Sequence, residues 1–280
     1  MIYFCVFSTI VMASFETVAS RYNFDMYNRI GQGREGTVYP GICSADNTPV
    51  AMKIVRKYTM CDCDTCGGKL PRELCLLMKC QGIQGVIKVY DIFVSNYMTL
   101  VVMERPKNYA DLWNLIDAQV GLPVDTAKHY FRQIVKTLNG MKERGVVHGD
   151  VKNENIVIDI DTQQTKVIDF GYAHPTNCNV IGCMVGTPVF QPPESYTGGA
   201  YMWEPVTVWT LGTMLYTMVI GFEPFQDEKD AINDESQFEI LTNFPSSMED
   251  LIRRMLAKKP NERPSLDDIL KHEWLVETPV

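Results

Sequence analysis

Two short polar loops constrain this chain more than any other part of its sequence. The first, His148–Asn155, contains Asp150, Lys152 and Asn155, and the second, Asp169–Gly171, begins fourteen residues after Asn155. Magnesium prefers carboxylate and amide oxygens, a carboxylate can orient an attacking hydroxyl, and a lysine can neutralise charge on a phosphate. The loops therefore predict phosphoryl transfer, against the alternative of two ordinary polar turns after strands.

The four polar side chains of these loops divide the expected chemistry between them. We expect Asp150 to orient and deprotonate an acceptor hydroxyl, and Lys152 to bring positive charge to the γ-phosphate. Asn155 and Asp169 are the expected magnesium ligands, with Mn2+ as an alternative metal.

Upstream, a glycine-rich turn, a strand lysine and a helical glutamate follow one another. Residues 30–38 have the pattern G-x-G-x-x-G-x-V, in which glycines let main-chain amides approach a phosphate. Val50–Lys53 alternates like a strand, and Lys53 would hold the α- and β-phosphates. Glu73 lies in an apolar segment typical of a helix packed on a sheet. A plain hairpin, an exposed Lys53 and a solvated Glu73 are the alternatives.

Composition and periodicity predict a single domain of the α+β class. The 280 residues are 46% hydrophobic, enough for a sizeable core, and the net charge of −8 argues against nucleic acid as a partner. A strand-like run, Met98–Met103, gives way to polar residues 104–108, which predicts a hinge. Apolar residues between 127 and 141 recur with a helical period, and Gly145 suits a C-terminal cap. The apolar run Trp209–Val219 predicts a buried helix.

These motifs resemble those of serine/threonine protein kinases, and within that superfamily the chain is most similar to the Pim family. The resemblance covers roughly residues 25–275. Beyond the loops already described, it rests on Ser44–Ala51, Glu104–Pro106, Lys152–Ile156, Pro192–Glu194 and Val208–Gly212.

The resemblance implies a two-lobed fold and ATP with Mg2+ as cofactors. A small antiparallel-sheet N-lobe with one main helix would precede a larger, mostly helical C-lobe. The implied boundaries are an N-terminal extension at 1–24, the N-lobe at about 25–103, the hinge at 104–108, the C-lobe at 109–275 and a tail at 276–280.

Nucleotide-binding residues follow from the same resemblance, with Asp111 placed near the ribose. They are Ile30, Gly31, Gln32, Gly33, Gly36, Val38, Ala51, Lys53, Met103, Glu104, Asp111 and Asp169. Pro106 has no main-chain N–H, so the hinge would lose one donor to adenine, worth about 0.5–1.5 kcal/mol. A simple turn proline is the alternative.

The implied substrates are serine or threonine residues in Arg/Lys-rich peptides. Glu154, Asp227 and Glu228 match acids that receive substrate arginines through a guanidinium–carboxylate fork. For Asp227 and Glu228, a solvated surface is an equal alternative. Thr187 matches the segment that shapes the acceptor site, where it would touch Asp150 and Lys152.

Other residues are expected to stabilise the site or to alter it. Glu194 would pair with Arg263 as a structural ion pair. Gly149 stands where most kinases, including the Pim family, have an arginine that gathers a phosphorylated activation loop. Its absence predicts activity independent of that phosphorylation, or weaker activity because Asp150 is held less firmly. Thr207 replaces an aspartate that the Pim family also lacks. A pseudokinase scaffold, binding nucleotide or partners without efficient transfer, is the alternative function.

A cysteine-rich loop stands apart from these motifs. Cys61, Cys63 and Cys66 could hold zinc if Cys75 or Cys80 supplied a fourth ligand. A redox-sensitive loop and a plain exposed insertion are the other interpretations. The cysteines lack a secretory framework, which suggests reduced thiols and a cytoplasmic protein, with the nucleus as a second compartment.

The N-terminus leaves three interpretations. Residues 1–13 are mostly apolar and too short to span a bilayer, and no basic residue precedes Arg21. Translation could begin at Met12, so that residues 1–11 are absent; the segment could be a packed or mobile tail; or it could be a signal or anchor. We expect a monomer without stable membrane insertion.

Overall fold

The computed structural model describes residues 10–12, 15–33, 36–56, 70–95, 98–177, 180–181, 191–196, 200–233 and 236–276. The chain divides into two compact units, Met1–Tyr109 and Ala110–Val280. The first contains the larger sheet and the second most of the helices, which confirms the predicted α+β class.

A twisted sheet forms the body of the first unit. Its strands are β1 (Ile10–Met12), β2 (Tyr22–Phe24), β3 (Gly31–Gln32), β4 (Gly36–Cys43), β5 (Pro49–Arg56), β6 (Val89–Val94) and β7 (Met98–Glu104). Their spatial order is β1-β6-β7-β5-β4-β2, with β3 paired to β4. The helices α1 (Phe15–Arg21) and α2 (Arg72–Lys79) accompany the sheet.

One strand pair departs from the antiparallel sheet that the sequence predicts. Strand β1 lies parallel to β6, with Ile10 opposite Ile92 and Met12 opposite Val94. This pairing is not anticipated because β1 belongs to the segment interpreted as an N-terminal extension.

The two faces of the sheet have different surroundings. Val50, Met52 and Val102 project to one face and are almost completely buried. They form a core cluster with Val18, Tyr22, Phe93 and Leu100. Residues that alternate with them along β5 and β7 project to the opposite face, where Val55 and Val101 are also buried and Ala51 and Met103 are partly buried.

A buried carboxylate on β6 contacts the last residue of α1 and the first residue of β2. Asp91 of β6 accepts a hydrogen bond from the Tyr22 hydroxyl and lies 2.9 Å from Nη2 of Arg21. Burial raises the pKa of Tyr22, and its hydrogen bond to Asp91 raises that pKa further. Residues before the predicted N-lobe therefore take part in its packing.

The second unit is mostly helical. Its helices are α3 (Leu112–Gln119), α4 (Val124–Glu143), α5 (Trp203–Ile220), α6 (Glu228–Asn233), α7 (Ser246–Met255) and α8 (Leu266–Lys271). Short strands are β8 (Tyr109–Asp111), β9 (Val146–Val147), β10 (Ile156–Asp159), β11 (Gln164–Val167), β12 (His174–Pro175), β13 (Val180–Ile181) and β14 (Ala200–Tyr201). They form the sheet β11-β10-β8 and the pairs β9–β12 and β13–β14.

Both predicted helices of the second unit are present. The apolar face of α4 is buried, and Gly145 follows the helix with a φ of +71°. Trp209 and Leu215 are fully buried within α5. In the described part of the chain, no helix is both long and apolar enough to cross a membrane.

Candidate active site

A buried ion pair links a strand to a helix in the first unit. Lys53 lies on β5, and its ammonium donates to the carboxylate of Glu73 in the first turn of α2. Both residues are only 8% exposed. The alternatives of an exposed lysine and a solvated glutamate therefore do not describe these side chains.

Several predicted nucleotide-binding residues share one face of the sheet. In the antiparallel register, Val38 lies opposite Lys53, and Ala51 lies opposite Met103. Opposed residues project to the same face, as do Ala51 and Lys53, which are two positions apart. The four side chains therefore form one surface, opposite the core cluster.

The strands on either side of the glycine-rich turn pair antiparallel, and the last glycine of the turn is required by packing. The described flanks of the turn are bonded from Ile30 N to Val38 O at 2.9 Å and from Gly33 N to Gly36 O at 3.0 Å. A Cβ at Gly36 would overlap the carbonyl oxygen of Ile54. The close approach of β5 therefore explains Gly36, besides any approach of phosphate.

The predicted hinge is held by its own side chains. Glu104 exchanges bonds with Lys88: its main-chain N–H donates to the Lys88 carbonyl at 2.9 Å, and its Oε1 accepts from the Lys88 N–H at 2.8 Å. The next residue, Arg105, donates from Nε to Val50 O at 3.1 Å and from Nη2 to Gly41 O at 3.3 Å. The sequence motifs gave no indication of this role for Arg105.

In the second unit, the predicted catalytic side chains converge on one carboxylate. Lys152 Nζ lies 3.3 Å from Oδ2 of Asp150. Asn155 Nδ2 donates to the same Oδ2 at 3.2 Å and to the Asp150 carbonyl at 2.8 Å. Asp150 is 9% exposed, so most of its surface is covered by other residues. Motif spacing therefore corresponds here to real proximity.

His148 connects the two polar loops. Its Nε2 lies 2.9 Å from the carbonyl of Ile168, and its Nδ1 accepts from the Asp150 N–H at 3.4 Å. Burial lowers the pKa of His148, which favours the neutral ring with its proton on Nε2. The ring also packs edge-on against Phe170, with centroids 5.3 Å apart.

Asp169 has the backbone conformation of a constrained site residue. Its φ is +62°, in the left-handed region that disfavours residues with a Cβ. Its Oδ1 accepts from Gly171 N at 3.3 Å, and the preceding Ile168 N–H donates to Asn155 O at 2.9 Å. Main-chain contacts therefore hold the loops that carry both expected metal ligands.

The described residues fit a magnesium site completed by a nucleotide. Among them, no cluster of three or more His, Cys, Asp or Glu could hold a metal by itself. Asn155 directs its amide nitrogen to Asp150, which leaves its side-chain oxygen Oδ1 available to a metal. Together with Asp169 this gives two protein ligands, consistent with the use of phosphate oxygens and water for the rest.

The acids predicted to bind substrate occupy different positions. Glu154 is exposed within the catalytic loop, directly before Asn155. Asp227 and Glu228 are exposed near Tyr196, whose pKa is raised by burial and further by these two carboxylates. Asp227 Oδ1 also accepts from Lys229 N at 2.8 Å, so this acid caps α6 as well.

Asp111 has a capping role that its sequence position did not reveal. Its Oδ1 accepts from Asn114 N at 2.7 Å and its Oδ2 from Asn114 Nδ2 at 2.6 Å, at the start of α3. Both carboxylate oxygens are therefore engaged, and a ribose contact would share them. The predicted contacts of Thr187 lie outside the described residues.

The cysteine-loop hypothesis also lies outside the described residues, because positions 57–69 are not among them. Its two suggested fourth ligands, Cys75 and Cys80, are described and are completely buried in and directly after α2.

The predicted structural ion pair is present. Arg263 Nη1 and Nη2 lie 2.6 and 2.7 Å from the two carboxylate oxygens of Glu194. The guanidinium also lies 4.9 Å from the centre of the Trp209 ring. Thr207, by contrast, donates its hydroxyl to Trp203 O within α5 at 2.9 Å, as an ordinary helical threonine does.

Comparison with known proteins gives one family over most of the chain. Residues 24–275 match the Protein kinase domain. Serine/threonine-protein kinase prk-2 of Caenorhabditis elegans is 35% identical over 256 residues, which are 90% of this chain and 58% of that protein. Serine/threonine-protein kinase pim-2 of Danio rerio is 31% identical over 268 residues, or 92% of this chain and 86% of that protein.

A more distant relative is NUAK family SNF1-like kinase 1 of Homo sapiens, 30% identical over 259 residues. The match covers 91% of this chain and 39% of that protein. This chain therefore corresponds to less than two thirds of the length of prk-2 and of NUAK family SNF1-like kinase 1, and to most of the length of pim-2.

Proposed function

This chain belongs to the protein kinase family, among its serine/threonine kinases, and we propose that it transfers the γ-phosphate of ATP to serine or threonine in arginine-rich peptides. The similarity to Pim kinases that the hinge and catalytic loop indicate is confirmed by pim-2. The observation that most supports catalysis is the convergence of Lys152 and Asn155 on the Asp150 carboxylate.

Each proposed role follows from the position of a side chain. Mg-ATP supplies the phosphoryl group when bound, with the metal neutralising charge on the phosphate oxygens. Lys53, fixed by Glu73, holds the α- and β-phosphates. Asn155 and Asp169 would hold magnesium through hard oxygen atoms.

Asp150 would orient the acceptor hydroxyl and take its proton while the hydroxyl oxygen bonds to the γ-phosphorus and the bond to the departing ADP breaks. Lys152 places its ammonium beside the same group, where it neutralises charge on the transferring phosphoryl group. His148 holds the two loops together through its contacts to Ile168 and the Asp150 amide.

Preference for basic peptides is supported by charge. The net charge is −8, and Glu154, Asp227 and Glu228 all expose carboxylates. Carboxylates bind guanidinium groups through two parallel hydrogen bonds, which favours arginine over lysine.

We also propose that phosphorylation of the activation segment is not required. Gly149 offers no side chain to a phosphate, and between residues 172 and 185 the hydroxyl groups are those of Tyr172 and Thr176.

The decisive experiment measures phosphate transfer from Mg-ATP to an arginine-rich serine peptide. The parent is purified unphosphorylated and compared with Asp169→Asn and Asp150→Asn. Parallel assays contain EDTA to remove the metal, or Mn2+ in place of Mg2+. We expect transfer by the parent that both substitutions and EDTA abolish, and less transfer when the peptide arginines become alanine. Binding of ATP without transfer to peptide or to the protein itself would instead indicate a pseudokinase scaffold.

A further inference from the structure

The main chain of the catalytic loop meets the start of the activation segment at Gly149. The φ of Gly149 is +80°, in the left-handed region. A Cβ at this position would overlap the carbonyl oxygen of Tyr172, and would lie 3.0 Å from its carbonyl carbon and 3.3 Å from its Cβ. A larger residue could therefore be accommodated only if the main chain of Tyr172 moved away.

That movement is opposed by contacts on both sides of Tyr172. Before it, the Ile168 carbonyl is bonded to His148 and Gly171 N donates to Asp169. After it, Ala173 N donates to Phe170 O at 2.9 Å, and His174 pairs with Val147 between β12 and β9. Displacing the Tyr172 carbonyl would therefore disturb contacts that position the segment carrying Asp169.

We propose that Gly149 is a positioning residue: its missing side chain lets the activation segment lie directly on the catalytic loop, which holds Asp150 and Asp169 in their relative positions. This inference rests on the proposed kinase activity and specifies how that activity is maintained without an arginine at position 149. This role is the opposite of the expectation that glycine at position 149 leaves Asp150 held less firmly. The main-chain contact between Gly149 and Tyr172 would hold the activation segment in place, as an arginine bound to a phosphorylated residue of that segment would otherwise do.

Gly145 provides a matched control for the backbone conformation. Its φ is +71°, but a Cβ there would have Thr176 Oγ1 at 3.7 Å as its nearest neighbour, an ordinary contact. Gly145→Ala therefore imposes the left-handed penalty without the collision. Gly149→Ala imposes both.

The test compares kcat and KM for ATP of the parent, Gly149→Ala, Gly149→Arg and Gly145→Ala, below the melting temperature of each. A misplacement of about 1 Å can cost on the order of 100-fold in rate. We expect both Gly149 variants to lose at least about tenfold in kcat with little change in KM for ATP. Gly145→Ala should remain within about threefold of the parent, because only its backbone conformation is penalised.

Hydrogen exchange of residues 171–176 gives a second measurement that needs no activity. We expect faster exchange there in Gly149→Ala than in the parent or in Gly145→Ala. A Gly149→Arg variant as active as the parent, or equal exchange in the two alanine variants, would overturn the inference. An inactive parent would reject the proposed function, while the exchange data would still decide whether Gly149 fixes this segment.

Discussion

The guanidinium of Arg105 donates from Nε to the carbonyl oxygen of Val50, at 3.1 Å. Its Nη2 reaches the carbonyl of Gly41 at 3.3 Å, so one side chain bonds the neighbouring strands β4 and β5. Hydrogen bonds from a charged donor are stronger than those between neutral groups. The chain directly after Glu104 is therefore held to the sheet at the point where adenine is expected to bind.

Arg105→Met should weaken nucleotide binding more than catalysis. We expect KM for ATP to rise by about three- to tenfold, corresponding to roughly 0.7–1.4 kcal/mol, because the hinge loses both bonds. Steady-state kinetics with varied ATP measures this effect. Lys107→Met removes an exposed positive charge two residues away and should leave KM unchanged. Equal increases in the two variants would assign the effect to charge alone.

The Lys53–Glu73 pair should separate activity from stability. Lys53→Met removes the ammonium that the buried Glu73 carboxylate contacts and should cost about 3–5 kcal/mol of unfolding free energy. Adding Glu73→Leu should recover much of this loss, because a buried ion pair can be replaced by apolar side chains of similar volume. Neither variant should transfer phosphate.

Denaturant unfolding together with the kinase assay tests this prediction. The exposed pair Lys259–Glu262, at 2.8 Å, is the control, and its removal should change the unfolding free energy by less than about 1 kcal/mol. A double variant no more stable than Lys53→Met would contradict the prediction.

His148 should make the protein sensitive to mild acid. Burial lowers its pKa in the folded state, so as pH falls the unfolded chain takes up a proton first. Its contribution to stability is complete above pH ~6.5 and should fall by up to about 1.4 kcal/mol per pH unit below that. Urea unfolding between pH 8 and 5 measures this slope.

His148→Gln keeps a donor for the Ile168 carbonyl but cannot titrate, so its profile should be flatter over that range. His129→Gln, at an exposed helical position, serves as the control and should retain the slope of the parent. The same slope in all three proteins would exclude His148 as its source.

The protein should be more stable with an apolar residue in place of Asn153. This asparagine is completely buried, and among the described residues neither its amide nitrogen nor its amide oxygen has a hydrogen-bond partner. An unsatisfied buried polar group costs about 1–3 kcal/mol, so Asn153→Leu should raise the unfolding free energy by about 1 kcal/mol. Asn114→Leu, which removes the side-chain hydrogen bond to Asp111 Oδ2 but keeps the main-chain one, should lower it. A loss of stability in Asn153→Leu would indicate a water bound to the amide.

The sequence specifies the parts of the site that depend on spacing. Residues Asp150, Lys152 and Asn155 come together because a short loop cannot separate them far. Strand alternation likewise predicts that Ala51 and Lys53 share a face, and the register then adds Met103. The helical period between residues 127 and 141 is enough to predict the buried face of α4.

Features that depend on distant contacts were not predictable in this way. Whether Gly149 is loose or tightly packed depends on Tyr172, which belongs to another loop. Gly36 matches a phosphate-binding motif, but its need for glycine also comes from Ile54 on the next strand. A carboxylate such as Asp111 can bind a ligand or cap a helix, and its residue type does not distinguish the two. Arg105 belongs to a recognised hinge motif, yet only the fold shows where its guanidinium lies.

The three-residue strand β1 covers one edge of the larger sheet, because β6 pairs with it on one side and with β7 on the other. A chain shortened to begin at Met12 would keep every proposed catalytic residue but would lose the pairing of Ile10 and Val11 with Ile92 and Phe93 of β6. Open strand edges of this kind are templates for pairing between molecules. Such a shortened protein is therefore expected to self-associate during purification, although all of its proposed catalytic residues are present.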